Sequence, residues 1–148
     1  MPSSLPADGR IRVVIENVAP AVDGGRFPIK RVAGETVIVE ADCFVDGHDA
    51  LACRLLYRRD DVRAWQFVPM TLLANDRWRA EFVLGAPGRY RYTIMAWVDD
   101  FLSWHHEFMR RVEAEDVRIA AQVGASLIDE TAKRAEPADR ASLGQWAA

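Results

Sequence analysis

Cysteine and histidine are scarce in this 148-residue chain, at two and three residues. No uninterrupted apolar run approaches the ~18 residues of a transmembrane helix, and no apolar secretory segment follows Met1. These absences argue against a disulfide-stapled secreted fold and against a membrane partner, and lead us to expect a soluble, cytoplasmic protein. Charge of one sign is lacking too. With 19 Lys and Arg against 22 Asp and Glu, the formal net charge of −3 offers no basic footprint for nucleic acid.

Catalytic signatures are equally absent. There is no GxSxG elbow, no Gly-rich phosphate loop opening a helix, and no HExxH. His105 and His106 stand beside Glu107, but adjacent residues point to opposite faces of a strand and do not face one another on a helix; His48 sits in a distant turn. Asp46, Asp49, Asp60, Asp61, Asp99 and Asp100 are scattered through turns, where carboxylates commonly bond local backbone. No catalytic, metal-binding or cofactor-binding residue is assigned, and no cofactor is expected.

What is present is a globular composition: 50% hydrophobic residues and 9% aromatics, five of them Trp, enough for one core at this length. Residues 1–10 are polar, hold two Pro and a Gly, and read as a flexible lead. Ile11, Val13 and Ile15 then alternate with Arg12, Val14 and Glu16 as a short strand. Asn17–Arg31 is rich in Pro and Gly and reads as loop, with an extended stretch near Phe27–Lys30. Period-two runs follow over 36–45, 51–59, 65–70, 77–84 and 89–98, separated by turns rich in Gly, Pro, Asn and Asp. Val37, Val39, Ala41, Cys43 and Val45 share one face of the first, and Trp78, Ala80, Phe82 and Leu84 one face of the fourth. Short strands at this spacing predict an immunoglobulin-like antiparallel β-sandwich over 11–114. Gly88–Tyr92 has the pattern of a tyrosine corner at the entry to a sandwich strand, and Trp78 is assigned to the core.

Cys43 and Cys53 both fall on inward faces, opposite each other in one hairpin or across the core between two sheets. Buried thiols are preferred to a bridge in a cytosolic setting, with the disulfide as the alternative. From Asp116 the spacing of Val117, Ala120, Ala121, Gly124, Ile128, Ala132 and Ala135 predicts a helix, with Pro137 ending it or starting another, so 115–148 is a C-terminal helical segment. Residues 101–114 fit a strand or a helix. The strand is preferred because Asp99-Asp100 suits a two-residue hairpin turn. That hairpin would pair Trp97 with Leu102 and Met95 with Trp104, with Phe108 further along the same face. Such a face is too apolar for open water: the following helix, a partner subunit or a sugar chain stacked on it would cover it, and a three-residue turn would instead send these residues into the core.

The stretches RIRVVIENVAPAVDGGRFPIKR and NDRWRAEFVLGAPGRYRYTIMAWVDDFLSW resemble the N-terminal domain of bacterial α-1,4-glucan:maltose-1-phosphate maltosyltransferases, most specifically through Asp23–Arg31. The similarity runs from about Arg10 to at least Ala125. It implies a β-sandwich with a helical insertion in a glycoside hydrolase family 13-type transferase that extends α-glucans from maltose 1-phosphate. The family's catalytic Asp and Glu lie in a following (β/α)₈ barrel, so none maps onto this chain. The resemblance also implies a homodimer, and a sandwich whose closing strand returns after the helices. The resulting expectation is a non-catalytic accessory domain for dimer assembly and packing on its own catalytic barrel. Met95, Trp97, Leu102, Trp104 and Phe108 would form the interface, with Arg26 and Lys30 as polar contacts. The alternative is an α-glucan-binding module.

Overall fold

The computed structural model describes residues 12–147. The expected flexible lead and Ile11, the first residue of the expected opening strand, lie outside the described residues. The chain divides into two compact units: one runs to Gly47 and resumes from Leu51 to Val98, and the other holds His48–Ala50 and everything from Asp99 onward.

The first unit is a β-sandwich. Strands β1 (Val14–Ala19), β2 (Thr36–Phe44), β5 (Thr71–Leu72) and β6 (Arg77–Val83) form an antiparallel sheet in the order β1-β2-β6-β5. Strands β3 (Leu51–Arg59), β4 (Gln66–Pro69) and β7 (Tyr90–Val98) form the other, in the order β4-β3-β7. The first order is that of the ABED sheet of immunoglobulin constant domains, and the β3–β7 pair corresponds to their C and F strands.

Alternation dictates which side chains meet. Val37, Val39, Ala41 and Cys43 of β2 face Trp78, Ala80 and Phe82 of β6 with Val39 opposite Ala80 and Ala41 opposite Trp78, and all are buried. Cys53 and Leu55 of β3 cover them from the second sheet, helped by the half-buried Tyr90, Tyr92, Ile94 and Ala96 of β7. Val39 and Leu55 are fully enclosed, and each such apolar side chain contributes about 1.5–3 kcal/mol. Trp78 belongs to this core as expected, and its indole N–H donates to the Cys43 carbonyl at 3.2 Å. The tyrosine corner is present: the Tyr90 hydroxyl donates to the Ala86 carbonyl at 3.1 Å and faces the Ala86 N–H at 3.3 Å.

The opening strand and one further short strand differ from expectation: Arg12 and Val13 precede β1, which starts at Val14. The opening strand runs on through Asn17 to Ala19, because Asn17 takes a left-handed φ of 52° and the ladder resumes past it, with Ala19 opposite Glu40. The short β5 was not foreseen. It exists because Asn75 and Asp76, both at positive φ, turn the chain back tightly enough for Thr71 to pair with Arg79.

The second unit is helical: α1 (Asp100–Phe108), α2 (Ala114–Arg134) and α3 (Pro137–Ala147). The strand expected over 101–114, hairpinned on 89–98, is therefore corrected. Asp99-Asp100 starts a helix rather than turning a hairpin. The Asp99 carboxylate accepts from the Leu102 N–H at 2.9 Å, Asp100 lies in the positive first turn, and His105 and His106 lie in the last. Pro137 opens α3, where its missing N–H costs no hydrogen bond. The loop residues 48–50 go with this unit: Ala50 donates to the Ser103 hydroxyl and accepts from the Asp99 N–H, each at 2.8 Å.

Candidate functional site

The outward face of β4-β3-β7 is aromatic and cationic. Facing outward are Arg54, Leu56 and Arg58 of β3, Phe67 of β4, and Thr93, Met95 and Trp97 of β7. The Arg54 guanidinium lies 4.7 Å from the Phe67 ring centre and 5.0 Å from that of Trp97, so one cation is shared by rings from both neighbouring strands. Arg58 stacks at 4.9 Å on Trp65, just before β4. Such contacts contribute about 0.5–1 kcal/mol each at exposed positions, and they hold the rings in one orientation. Phe67, Met95 and Trp65 nevertheless stay 59%, 52% and 42% exposed.

Met95 and Trp97 thus stand on an outer face as the sequence predicts, but the five apolar candidates do not form a single hairpin face. Leu102, Trp104 and Phe108 are on α1. There Trp104 donates its indole N–H to the Ala120 carbonyl at 2.7 Å, its ring lies 5.2 Å from those of Phe101 and Phe108, and it rests on Gly124 of α2. Leu102 remains exposed. The hairpin pairing of Trp97 with Leu102 and Met95 with Trp104 fails because α1 replaces the strand. Arg54, Trp65 and Phe67 were missed. The signal for Arg54 was in the sequence, as it alternates with the inward Cys53 and Leu55; the ring contacts were not.

Arg26 and Lys30 line an open cleft of about 1780 Å³ within the first unit. Arg26, 77% exposed, pairs with Asp23 at 3.3 Å, and the Lys30 carbonyl accepts from Arg31 at 2.8 Å. Phe82, Leu84, Tyr90, Tyr92 and Ile94 floor the cleft, while Arg26, Lys30, Arg31, Arg58, Arg89 and Arg91 line it without a carboxylate among the lining residues. The Tyr92 hydroxyl donates to the Pro20 carbonyl, and burial pushes its pKa up. At the opposite end of β2, Arg77 reaches Asp42 at 3.0 Å and Glu40 at 3.2 Å. Cys43 and Cys53 are free, buried and on different sheets. Among the described residues no three His, Cys, Asp or Glu side chains converge as a metal site, and no helix is long and apolar enough to cross a membrane.

Residues 11–148 match the family described as alpha-1,4-glucan:maltose-1-phosphate maltosyltransferase, domain N/S. The chain belongs to this N/S-domain family. Among curated relatives, the maltosyltransferase of that name from Chlorobaculum tepidum is 48% identical over 142 residues, covering 95% of this chain and 21% of the relative. Its counterpart from Myxococcus xanthus is 44% identical over 144 residues, covering 91% of this chain and 22% of the relative. That from Salinibacter ruber is 43% identical over 136 residues, covering 89% and 20%. The N/S domain thus spans about a fifth of the curated relatives it matches. The resemblance drawn from Asp23–Arg31 and from the 75–104 stretch holds at the level of the family and of the sandwich.

Proposed function

We propose that this N/S domain is a non-catalytic accessory part of a longer cytoplasmic maltosyltransferase that extends α-1,4-glucans from maltose 1-phosphate, and that it serves homodimer assembly and packing on the catalytic barrel. The observation that carries the reading is the outer face of β4-β3-β7, where Arg54 holds Phe67 and Trp97 and leaves Phe67 and Met95 more than half exposed. Trp, Phe, Met and Arg are the residues enriched where protein interfaces bury their centres. A second copy seated on this face would bury the rings that a monomer leaves in water. The open cleft suits a segment of the same longer protein, with apolar side chains against Tyr92 and Ile94 and its polar rim against Arg26 and Lys30.

Sedimentation of the full-length protein tests the assembly role. Trp97→Ala combined with Phe67→Ala should shift the dimer toward monomer by at least ~30-fold in Kd, as for a central interface pair. An unchanged dimer would overturn the assignment. The second reading, an α-glucan-binding module, draws on the exposed Trp65 and Phe67 rings, which could stack on sugar faces. A maltooligosaccharide titration followed by Trp fluorescence separates the two, since a module saturates and an assembly face does not respond. This chain alone, given maltose 1-phosphate and a glucan acceptor, should give no chain extension.

A further inference from the structure

Cys43 ends the inward row of β2, and Cys53 follows Leu51 in that of β3 in the facing sheet. Both are almost completely buried in the same core cluster, and the largest influence on each thiol's titration is the other thiol. They are the only two cysteines of the chain, and only residues 44–52 separate them. Two buried thiols on the inward faces of facing sheets, in one core cluster, have one reaction open to them that neither has alone.

We infer that Cys43 and Cys53 form a redox-convertible pair, oxidised by a peroxide to a disulfide that links the two sheets at one corner of the sandwich. The step balances. The Cys43 sulfur attacks the O–O bond of hydrogen peroxide, giving a sulfenic acid at Cys43 and, with the displaced hydroxide and the thiol proton, one water. The Cys53 sulfur then attacks Cys43, the S–S bond forms as the S–O bond breaks, and the departing hydroxide leaves with the Cys53 proton as a second water. Two electrons pass from the sulfurs to the peroxide. Bonding to Cys53 lowers the pKa of Cys43, while bonding to Cys43 and burial push Cys53 far above an ordinary thiol, which favours Cys43 as the sulfur that meets the peroxide. Burial also makes the reaction slow, limited by local opening of the corner.

The experiment is incubation of the native 148-residue chain with hydrogen peroxide, followed by thiol titration in denaturant and non-reducing peptide mapping. The expected result is joint loss of both thiols, a peptide joined through Cys43 and Cys53, and a melting temperature raised by several degrees and restored by dithiothreitol. The inference is overturned if both thiols survive under conditions that oxidise the unfolded chain, if one alone is lost, or if the bridge joins two molecules. Cys53→Ala provides a second check that leaves the core apolar: its Cys43 should stop at sulfenic acid, trapped by dimedone, whereas the unsubstituted chain gives no lasting adduct. An adduct of equal yield in both proteins would count against the pair.

Discussion

Asp42 accepts from the Asn17 amide at 2.7 Å and from Arg77 at 3.0 Å, and these bonds hold its carboxyl below the usual carboxylate range. Arg91 does the same for Asp60, and Arg59 for Asp61. A carboxylate with a lowered pKa in the folded chain contributes stability above its unfolded pKa and loses it as pH falls through the folded value. Stability should therefore be flat near neutrality and drop below about pH 4. Asp42→Asn should make that acid slope shallower while lowering the melting temperature at pH 7, as thermal melts across pH would reveal. A second test concerns the Tyr92 hydroxyl, which donates to the Pro20 carbonyl and ties the Pro-rich loop to β7. Tyr92→Phe should cost about 1 kcal/mol in denaturant unfolding, the ordinary net value of such a bond. The partnership of Asn17, Asp42 and Arg77 was not legible in the sequence, because only strand pairing brings the three together.

Elements divide into those whose period admits one reading and those whose period admits two. Val37, Val39, Ala41 and Cys43 recur at every second residue for four repeats, a pattern that no helix face can satisfy, and β2 follows. Trp104, Phe108 and Val112 suit either period, and the deciding residue is Asp99. An aspartate there can turn a hairpin or cap a helix, and here it caps α1. Asp99→Ala should remove helix signal in far-UV circular dichroism and cost about 0.5–2 kcal/mol. The packing of α1 on α2 rests on Gly124, where an added methyl carbon would lie 2.1 Å from the Trp104 ring. Gly124→Ala should therefore destabilise the helical unit by about 1–3 kcal/mol through overpacking, outweighing the ~1 kcal/mol that alanine adds to a helix. Thermal melts of the purified variant measure the balance, and an increase in stability would mean that Trp104 swings aside without cost.

At the scale of the whole molecule, the chain is two compact units and about a fifth of the length of the maltosyltransferases it matches. If the proposed assembly face is Arg54 between aromatic rings, association rests on apolar burial rather than on long-range charge. Sedimentation in high salt should then show the dimer retained, whereas dissociation as salt screens would point to the arginine-lined cleft. Alternation, turn residues and length determined the β-sandwich, its core row from Val37 to Cys43, the tyrosine corner and the helical C-terminal segment, because each depends on near neighbours along the chain. The sequence also carried the family, through Asp23–Arg31. Tertiary structure alone decided that Cys43 and Cys53 lie on two different sheets, that Arg54 lies between Phe67 and Trp97, and that Trp104 packs on Gly124. Those contacts join residues up to 43 positions apart. Their geometry depends on which strands pair and which way the chain leaves β7, and no local period encodes either.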